Sequence, residues 1–279
     1  MKFGGSSVRD AARMKEVANI ICSFPKELPC VVLSAMGKTT NNLLAAGEAA
    51  LTCRSNEIGE LAPLQTIREL HLRTCEELGL PAADVAEVQA LLQQLTQLLT
   101  GVSLMQELTA RTSANLVSFG ERLSTRIFAS FLRTQGVAAR QYDAFGRLGF
   151  VSTDDFGNGD ILPASYDVAG AVLRDPPGGP SAPEVAIVTG FLARGEKSGA
   201  ITTLGRGGSD LTATVLGRAL GVNEVQVWKD VDGVLSADPR LAPAAVPVPF
   251  LTYEEATELA YFGAQARSLR SRAYCHGQR

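Results

Sequence analysis

The chain has 279 residues, of which 46% are hydrophobic, and a formal net charge of −3. This length and composition allow a sizeable buried core and exclude disordered and fibrous proteins. The 26 basic and 29 acidic residues are spread along the chain, so no broad basic face for nucleic acid or a membrane surface is indicated. No apolar run reaches the ~20 residues that a membrane-spanning helix needs. Small molecules are therefore the expected partners.

The first part of the chain alternates between short apolar runs bounded by turn residues and segments with helical spacing of apolar residues. Thr39 or Thr40 could cap the second of the helices. In chain order we predict a strand end at 1–3, a helix from 8 to 21, a strand at 30–33, a helix from 39 to 52, about three amphipathic helices between 57 and 112, a strand at 116–119, a helix at 121–134, a strand at 138–142 and a helix at 165–173.

A Pro/Gly loop at 175–180 can continue neither a helix nor a central strand, so it is the predicted boundary between two lobes, about 1–175 and 185–265. Strands alternating with helices predict an α/β fold with a central, mostly parallel sheet between helical layers. Ligands of such folds lie beyond the carboxyl ends of the strands. After the loop we predict a strand at 185–188, a hairpin at 195–203, a helix at 209–220, a strand at 224–228 and a helix at 253–261.

The first strand runs into Lys2-Phe3-Gly4-Gly5-Ser6-Ser7, where glycine lets backbone amides approach a ligand beside a cation and a helix N-terminus. This arrangement suits a phosphate group, although a Gly-Gly turn after a strand can equally be a plain turn. Gly37-Lys38-Thr39 is not the end of a P-loop, because Val32 stands where the first glycine of that motif belongs.

A second glycine-rich loop, Gly205 to Asp210, precedes a helix and combines two glycines with Arg206 and the capping residue Ser209. Amides, helix dipole and guanidinium would meet there and suit a carboxylate or phosphate. The alternative is a capped helix with a solvated arginine. Glu121, in Gly-Glu-Arg at the predicted start of a helix, could accept hydrogen bonds from an ammonium group or simply stabilise the helix dipole. The acidic turn after Lys229 is either structural or part of a nucleotide pocket.

The order of these motifs is more specific than any of them alone. It reads KFGGSS, VVLSAMGKTTN, SFGERLSTR, VTGF, TTLGRGGSD, VWKDVDGVLSADPR and ELAYFGAQ. In this order the chain closely resembles the aspartate kinases of the amino-acid kinase superfamily, above all the plant and algal plastid enzymes, over residues 1–265. The resemblance implies transfer of the γ-phosphoryl group of ATP to the side-chain carboxylate of L-aspartate, in a two-lobed α/β fold.

Site residues follow from the resemblance position by position. Lys2, Gly4, Gly5 and Ser6 would hold the phosphates, with Lys2 and Asp210 as catalytic residues. Thr40 and Asn41 would contact aspartate, Glu121 would accept its ammonium group, Arg206 would pair with its α-carboxylate, and Gly207, Gly208 and Ser209 would complete that site. Lys229, Asp230 and Leu235 would lie beside adenine and ribose, Arg240 would reach the nucleotide phosphates, and Gln265 is the last matching position.

The implied chemistry explains why a chain with two histidines could carry out this reaction. A carboxylate with pKa ~3.9 is already a nucleophile at neutral pH and needs no general base. Catalysis then requires in-line positioning of the two substrates and neutralisation of the phosphate oxygens. We expect Mg²⁺ to be held mainly through the ATP phosphates, with no metal site of the protein's own.

Beyond Gln265 the sequence departs from the family, with four arginines and no acid in residues 266–279. We expect a divergent, disordered basic tail, no regulatory ACT domains and therefore a doubtful homodimer without lysine or threonine feedback. The resemblance implies a chloroplast location, but the first residues show no transit peptide, so the chain as given would be cytoplasmic or stromal. Two alternatives remain: an inactive isoform that binds nucleotide or pairs with a full-length subunit, and a related kinase acting on glutamate or acetylglutamate.

Overall fold

A computed structural model describes residues 1–24, 26–174, 184–229, 233–238 and 241–261. The strands are β1 Lys2–Phe3, β2 Val31–Leu33, β3 Ala139–Tyr142, β4 Val151–Ser152, β5 Val185–Thr189, β6 Leu192–Gly195, β7 Ile201–Thr203 and β8 Val227–Trp228. The helices are α1 Ala11–Cys22, α2 Thr39–Ala50, α3 Ala62–Glu77, α4 Ala82–Met105, α5 Ala110–Thr134, α6 Ala164–Arg174, α7 Gly208–Leu220 and α8 Tyr253–Tyr261, with a 3₁₀ turn at Ile58–Glu60.

Five strands form a parallel sheet in the order β3-β5-β2-β1-β8. The sheet takes strands from both sides of the predicted lobe boundary. Parallel pairing brings the carboxyl ends of β1, β2, β5 and β8 to one edge, where the polar loops of the sequence follow them. At that edge Phe3 stacks on Trp228 with ring centroids 5.9 Å apart, which ties β1 to the edge strand β8.

Alternation along the strands gives the sheet two apolar faces. Val31 and Leu33 belong to a large core that they share with α1 to α5, whereas Val32 belongs to a second core shared with α6 and α7. The fold is therefore an α/β sheet between helical layers, which confirms the predicted class. None of the helices in the described ranges is long and apolar enough to cross a bilayer.

The predicted hairpin is confirmed as β6 and β7, which pair antiparallel. Strand β4 pairs parallel with β6 and completes a second, three-stranded sheet in the order β4-β6-β7. A two-residue strand such as β4 offers too short a pattern to be found from sequence. Between residues 62 and 105 the helical insertion consists of two long helices, α3 and α4.

One predicted element is wrong. The stretch 116–119 is not a strand followed by a new helix but the middle of α5, a 25-residue helix that is buried almost all round from Leu116 onward. The apolar residues of α5 do recur at helical spacing, but the short run from Leu116 to Phe119 ends at Gly120, and a glycine inside a helical pattern is easily interpreted as a boundary between elements. The sequence suggested that Glu121 lies in the first turn of a helix, whereas the structure places it in the middle of α5.

Two predicted caps are also wrong. Helix α2 has Lys38 at its N-cap and no side-chain cap, and the buried Thr39 hydroxyl has no hydrogen-bond partner among the described residues. Helix α7 has Gly207 at its N-cap with φ 78° and again no side-chain cap. Ser209 lies within the first turn of α7, and its hydroxyl contacts Ser34 in the loop after β2.

Candidate functional site

The turn after β1 is packed directly against the loop after β2. Lys2 is 7% exposed, and its ammonium group lies beside Gly4, 3.9 Å from the position of an added Cβ. Gly5 accepts a hydrogen bond from the amide of Gly37 at 2.9 Å. A Cβ at Gly5 would lie 2.6 Å from the carbonyl oxygen of Ala35, so only glycine allows this approach. The turn predicted to hold phosphate is thus fixed in place at the carboxyl edge of the sheet.

Asp210 in the first turn of α7 joins two lysines from different strands. Its Oδ1 lies 2.8 Å from Lys2 Nζ, and its Oδ2 lies 3.7 Å from Lys229 Nζ. The helix N-terminus adds its dipole and free amides to the same place. The sequence identified all three residues as site residues, but it gave no reason to expect that one carboxylate would hold both cations.

Close packing behind α7 depends on Gly190, directly after β5. A Cβ there would lie 2.6 Å from Ser209 Oγ and 3.1 Å from the carbonyl oxygen of Leu33. Ser34 Oγ donates to Ser209 Oγ at 3.0 Å, so the loop after β2 is hydrogen-bonded to the first turn of α7. Ser34 was missed as a site residue, although its position directly after a buried strand is a signal that could have found it.

Glu121 reaches the same loop from α5. Its Oε1 accepts a hydrogen bond from the amide of Ala35 at 3.1 Å, and Ser124, one turn on, donates to the carbonyl of Ser34 at 2.9 Å. Gly120 lets the two segments meet, since a Cβ there would lie 2.6 Å from Ala35 Cβ. The Oε2 of Glu121 is buried without a hydrogen-bond partner among the described residues. Burial raises the pKa of Glu121 to about 8, opposed by the Ala35 amide.

The remaining predicted residues fall into three groups. Thr40 is half-buried and Asn41 exposed in the first turn of α2, beside the loop after β2, and Arg206 is exposed directly before α7. Ser6 is exposed in the turn after β1. Leu235 is half-buried and forms an isolated bridge with Pro247. Three further predicted residues, Asp230, Arg240 and Gln265, lie outside the described residues.

These contacts form one continuous set. Asp210 binds Lys2, the neighbouring Ser209 contacts Ser34, and Ala35 contacts Glu121. The arrangement offers cations and amides at one side and a buried carboxyl at the other, which suits a ligand that carries anionic groups and an ammonium group. No group of three His, Cys, Asp or Glu side chains within the described ranges could hold a metal ion.

A separate cavity of about 550 Å³ lies at the other end of the sheet. Its lining includes Met1, Cys30 and Gln226, which lie at or just before the amino ends of strands, and Leu220 at the end of α7. Its lining does not include Lys2, Asp210 or Glu121. We therefore take the carboxyl edge, with its convergent polar groups, as the candidate site.

Comparisons with known proteins show which family the chain resembles. Residues 1–276 match the amino acid kinase family. The chain is 60% identical over 265 residues to chloroplastic aspartokinase 1 of Arabidopsis thaliana, covering 95% of this chain and 46% of that protein. It is 35% identical over 266 residues to lysine-sensitive aspartokinase 3 of Escherichia coli, covering 95% of this chain and 56% of the relative.

The crystal structure of E. coli aspartokinase III in complex with aspartate and ADP matches with a TM-score of 0.84 at 33% identity. That match covers 98% of this chain and 58% of the other chain. The chain spans about half the length of the curated relatives it matches.

Proposed function

The chain belongs to the amino acid kinase family, and from that premise we propose that it transfers the γ-phosphoryl group of ATP to the side-chain carboxylate of L-aspartate. The observation that carries the proposal is the single set of contacts that runs from Lys2 through Asp210, Ser209 and Ser34 to Glu121. This set brings two cations to one end and a buried acid to the other. The E. coli structure with aspartate and ADP and the Arabidopsis aspartokinases support the choice of substrates.

In this proposal the phosphate groups of ATP bind at the turn of Gly4, Gly5 and Ser6 and at the N-terminus of α7. A side-chain oxygen of aspartate forms a bond to the γ-phosphorus while the bond from that phosphorus to the β,γ-bridging oxygen breaks, which leaves ADP. Lys2 neutralises charge on the transferred group. Lys229, which the resemblance would place beside adenine and ribose, shares the Asp210 carboxylate with Lys2, and we assign it to the charge of the leaving group. Asp210 holds both ammonium groups in position, because it contacts both in the free protein.

The aspartate backbone groups would be bound on the other side. Glu121 would accept the ammonium group and Arg206 the α-carboxylate, with Thr40, Asn41, Gly207, Gly208 and Ser209 completing the pocket. The side-chain carboxylate is then left free to react, and it needs no general base. Leu235 would line the adenine side of the nucleotide pocket.

We further propose that Mg²⁺ enters with ATP and is held by the phosphates. The residues at the site do not fit a resident metal, since Asp210 is already engaged by two lysines. A plastid location is proposed from the Arabidopsis relatives, which are named chloroplastic.

The proposal is tested by incubating the purified chain with Mg-ATP and aspartate, glutamate or neither, and trapping acyl phosphate with hydroxylamine. Hydroxamate with aspartate alone is expected. Nucleotide binding without any hydroxamate would contradict the proposed activity, and hydroxamate with glutamate would contradict the substrate.

The Arg206→Lys variant should raise the KM for aspartate by about 10–100-fold, because a lysine cannot make the bidentate bond that a guanidinium makes to a carboxylate. The KM for ATP should change less than about threefold, since Arg206 does not take part in the contacts of Lys2 and Asp210. Steady-state kinetics with each substrate varied in turn measure both values. Arg73→Lys on the exposed side of α3 is the matched control, and equal changes in the two KM values would contradict the assignment.

A further inference from the structure

The two oxygens of Glu121 have different surroundings. Oε1 accepts the amide hydrogen of Ala35, whereas Oε2 is buried and has no hydrogen-bond partner among the described residues. The residue as a whole is 3% exposed, so bulk water does not reach it. An ionised carboxylate held only by backbone hydrogen bonds, with no cation beside it, is costly in such a place.

The charged groups around this position are engaged elsewhere. Lys2 of β1 and Lys229 after β8 are both at Asp210 of α7. On α5 itself, Arg126 pairs with Asp143 at 2.8 Å.

Two further cations lie near Glu121 in the sequence or in the fold. Arg122 lies over the rings of Phe119 and Phe145, and Lys38 before α2 is exposed. The pKa of Glu121 is raised by burial and lowered only by backbone hydrogen bonds, so no charged group of the described residues stabilises its anion.

We propose that the Glu121 carboxyl carries a proton in the substrate-free protein and releases it to solvent when the ammonium group of aspartate arrives, so that one buried oxygen exchanges a proton for the substrate's cation. This inference rests on the proposed function, because it takes Glu121 as the partner of that ammonium group. The exchange balances: a neutral carboxyl and an ammonium ion become a carboxylate–ammonium pair and one free proton. Aspartate would therefore bind less tightly as the pH falls, even though its own ammonium group is unchanged.

Proton release is measured by calorimetric titration of the full chain with aspartate at pH 7, in phosphate and in Tris. These buffers differ in ionisation enthalpy, so the difference in observed heat gives the number of protons released. We expect close to one proton per aspartate at pH 7 and little release at pH 9. Below pH 8 the apparent Kd for aspartate should rise by about tenfold per pH unit.

Succinate is the matched ligand, since it has both carboxylates and no ammonium group. It should bind without proton release and without this pH dependence. Release of a proton with succinate as well would show that the proton comes from another group and would overturn the inference. Aspartate binding without proton release would also overturn it and would leave the proposed function standing, whereas failure of aspartate to bind at all would overturn both.

A second measurement needs no ligand. The folded-state pKa of about 8 exceeds the ordinary value of 4.5, so the folded protein binds more protons than the unfolded chain between these values. The stability that the Glu121 carboxyl group contributes is then fully present below about pH 4.5 and is lost as the pH rises toward 8. Residue 121 of the Glu121→Gln variant cannot ionise. The Tm of the variant minus that of the wild type should therefore increase from pH 5 to pH 8. Glu87→Gln on the exposed side of α4 is the control, and a difference that does not change with pH would overturn the inference.

Discussion

The Lys2→Met variant should lose about 10²–10³-fold in kcat for aspartate phosphorylation, the cost of removing one charged group aimed at a developing oxyanion. Lys2 is nearly buried and lies within 2.8 Å of Asp210, so no other lysine of the described residues can take its place without moving. Methionine has a similar length and an apolar stem, which suits the space beneath the glycine turn. The hydroxamate assay with saturating ATP and aspartate measures kcat.

Two controls separate catalysis from folding. Lys15→Met on the exposed side of α1 removes the same charge far from the carboxyl edge and should leave kcat unchanged. Circular dichroism should show that Lys2→Met remains folded, because Asp210 keeps Lys229 as a partner. A kcat within a factor of about three of the wild type would contradict the role of Lys2.

The Gly120→Ala variant should destabilise the protein and weaken the site, although alanine is the better helix former. In an open helix the replacement would gain about 1 kcal/mol. Here the added Cβ would lie 2.6 Å from Ala35 Cβ, and such overpacking costs about 1–3 kcal/mol. Overpacking should win, because α5 and the loop after β2 are joined by hydrogen bonds from Ala35 to Glu121 and from Ser124 to Ser34 and cannot separate freely.

Displacement of that loop by about 1 Å should lower kcat/KM for aspartate by up to about 10²-fold. Urea denaturation and steady-state kinetics measure the two effects. Gly101→Ala on α4 is the control, because an added Cβ there meets nothing within 4 Å and should stabilise the protein by about 0.5–1 kcal/mol. If both variants were stabilised, the proposed crowding between α5 and the loop would be wrong.

The sequence predicted most of the central sheet because its strands are short buried runs bounded by turn residues. It failed inside α5, where the short run from Leu116 to Phe119 ends at Gly120 and predicts a strand before a turn. The sequence pattern placed Gly120 at the start of a helix. In the structure its missing Cβ is what allows Ala35 to approach α5. Local patterns record what a residue prefers, whereas contact between distant segments decides where it is placed.

For the site, motif order identified the residues but not their relations. Sequence separation of about two hundred residues hides the ion pair of Lys2 with Asp210, which depends on β1 and α7 meeting at one edge. The contact between Ser34 and Ser209 is equally hidden by sequence separation. The Ser209 hydroxyl was predicted to cap a helix, but it accepts a hydrogen bond from Ser34 instead. The raised pKa of Glu121 could not be predicted either, because it results from burial in the finished fold.

The stacked pair at the carboxyl edge gives the protein an optical reporter of its own. The chain contains one tryptophan, Trp228, which stacks on Phe3 and is followed in sequence by Lys229, as Phe3 is preceded by Lys2. Tryptophan fluorescence therefore reports on one known position, where the stacked rings of Trp228 and Phe3 are each adjacent in sequence to a lysine of the site. Nucleotide binding and unfolding can therefore be followed by emission without attaching a dye.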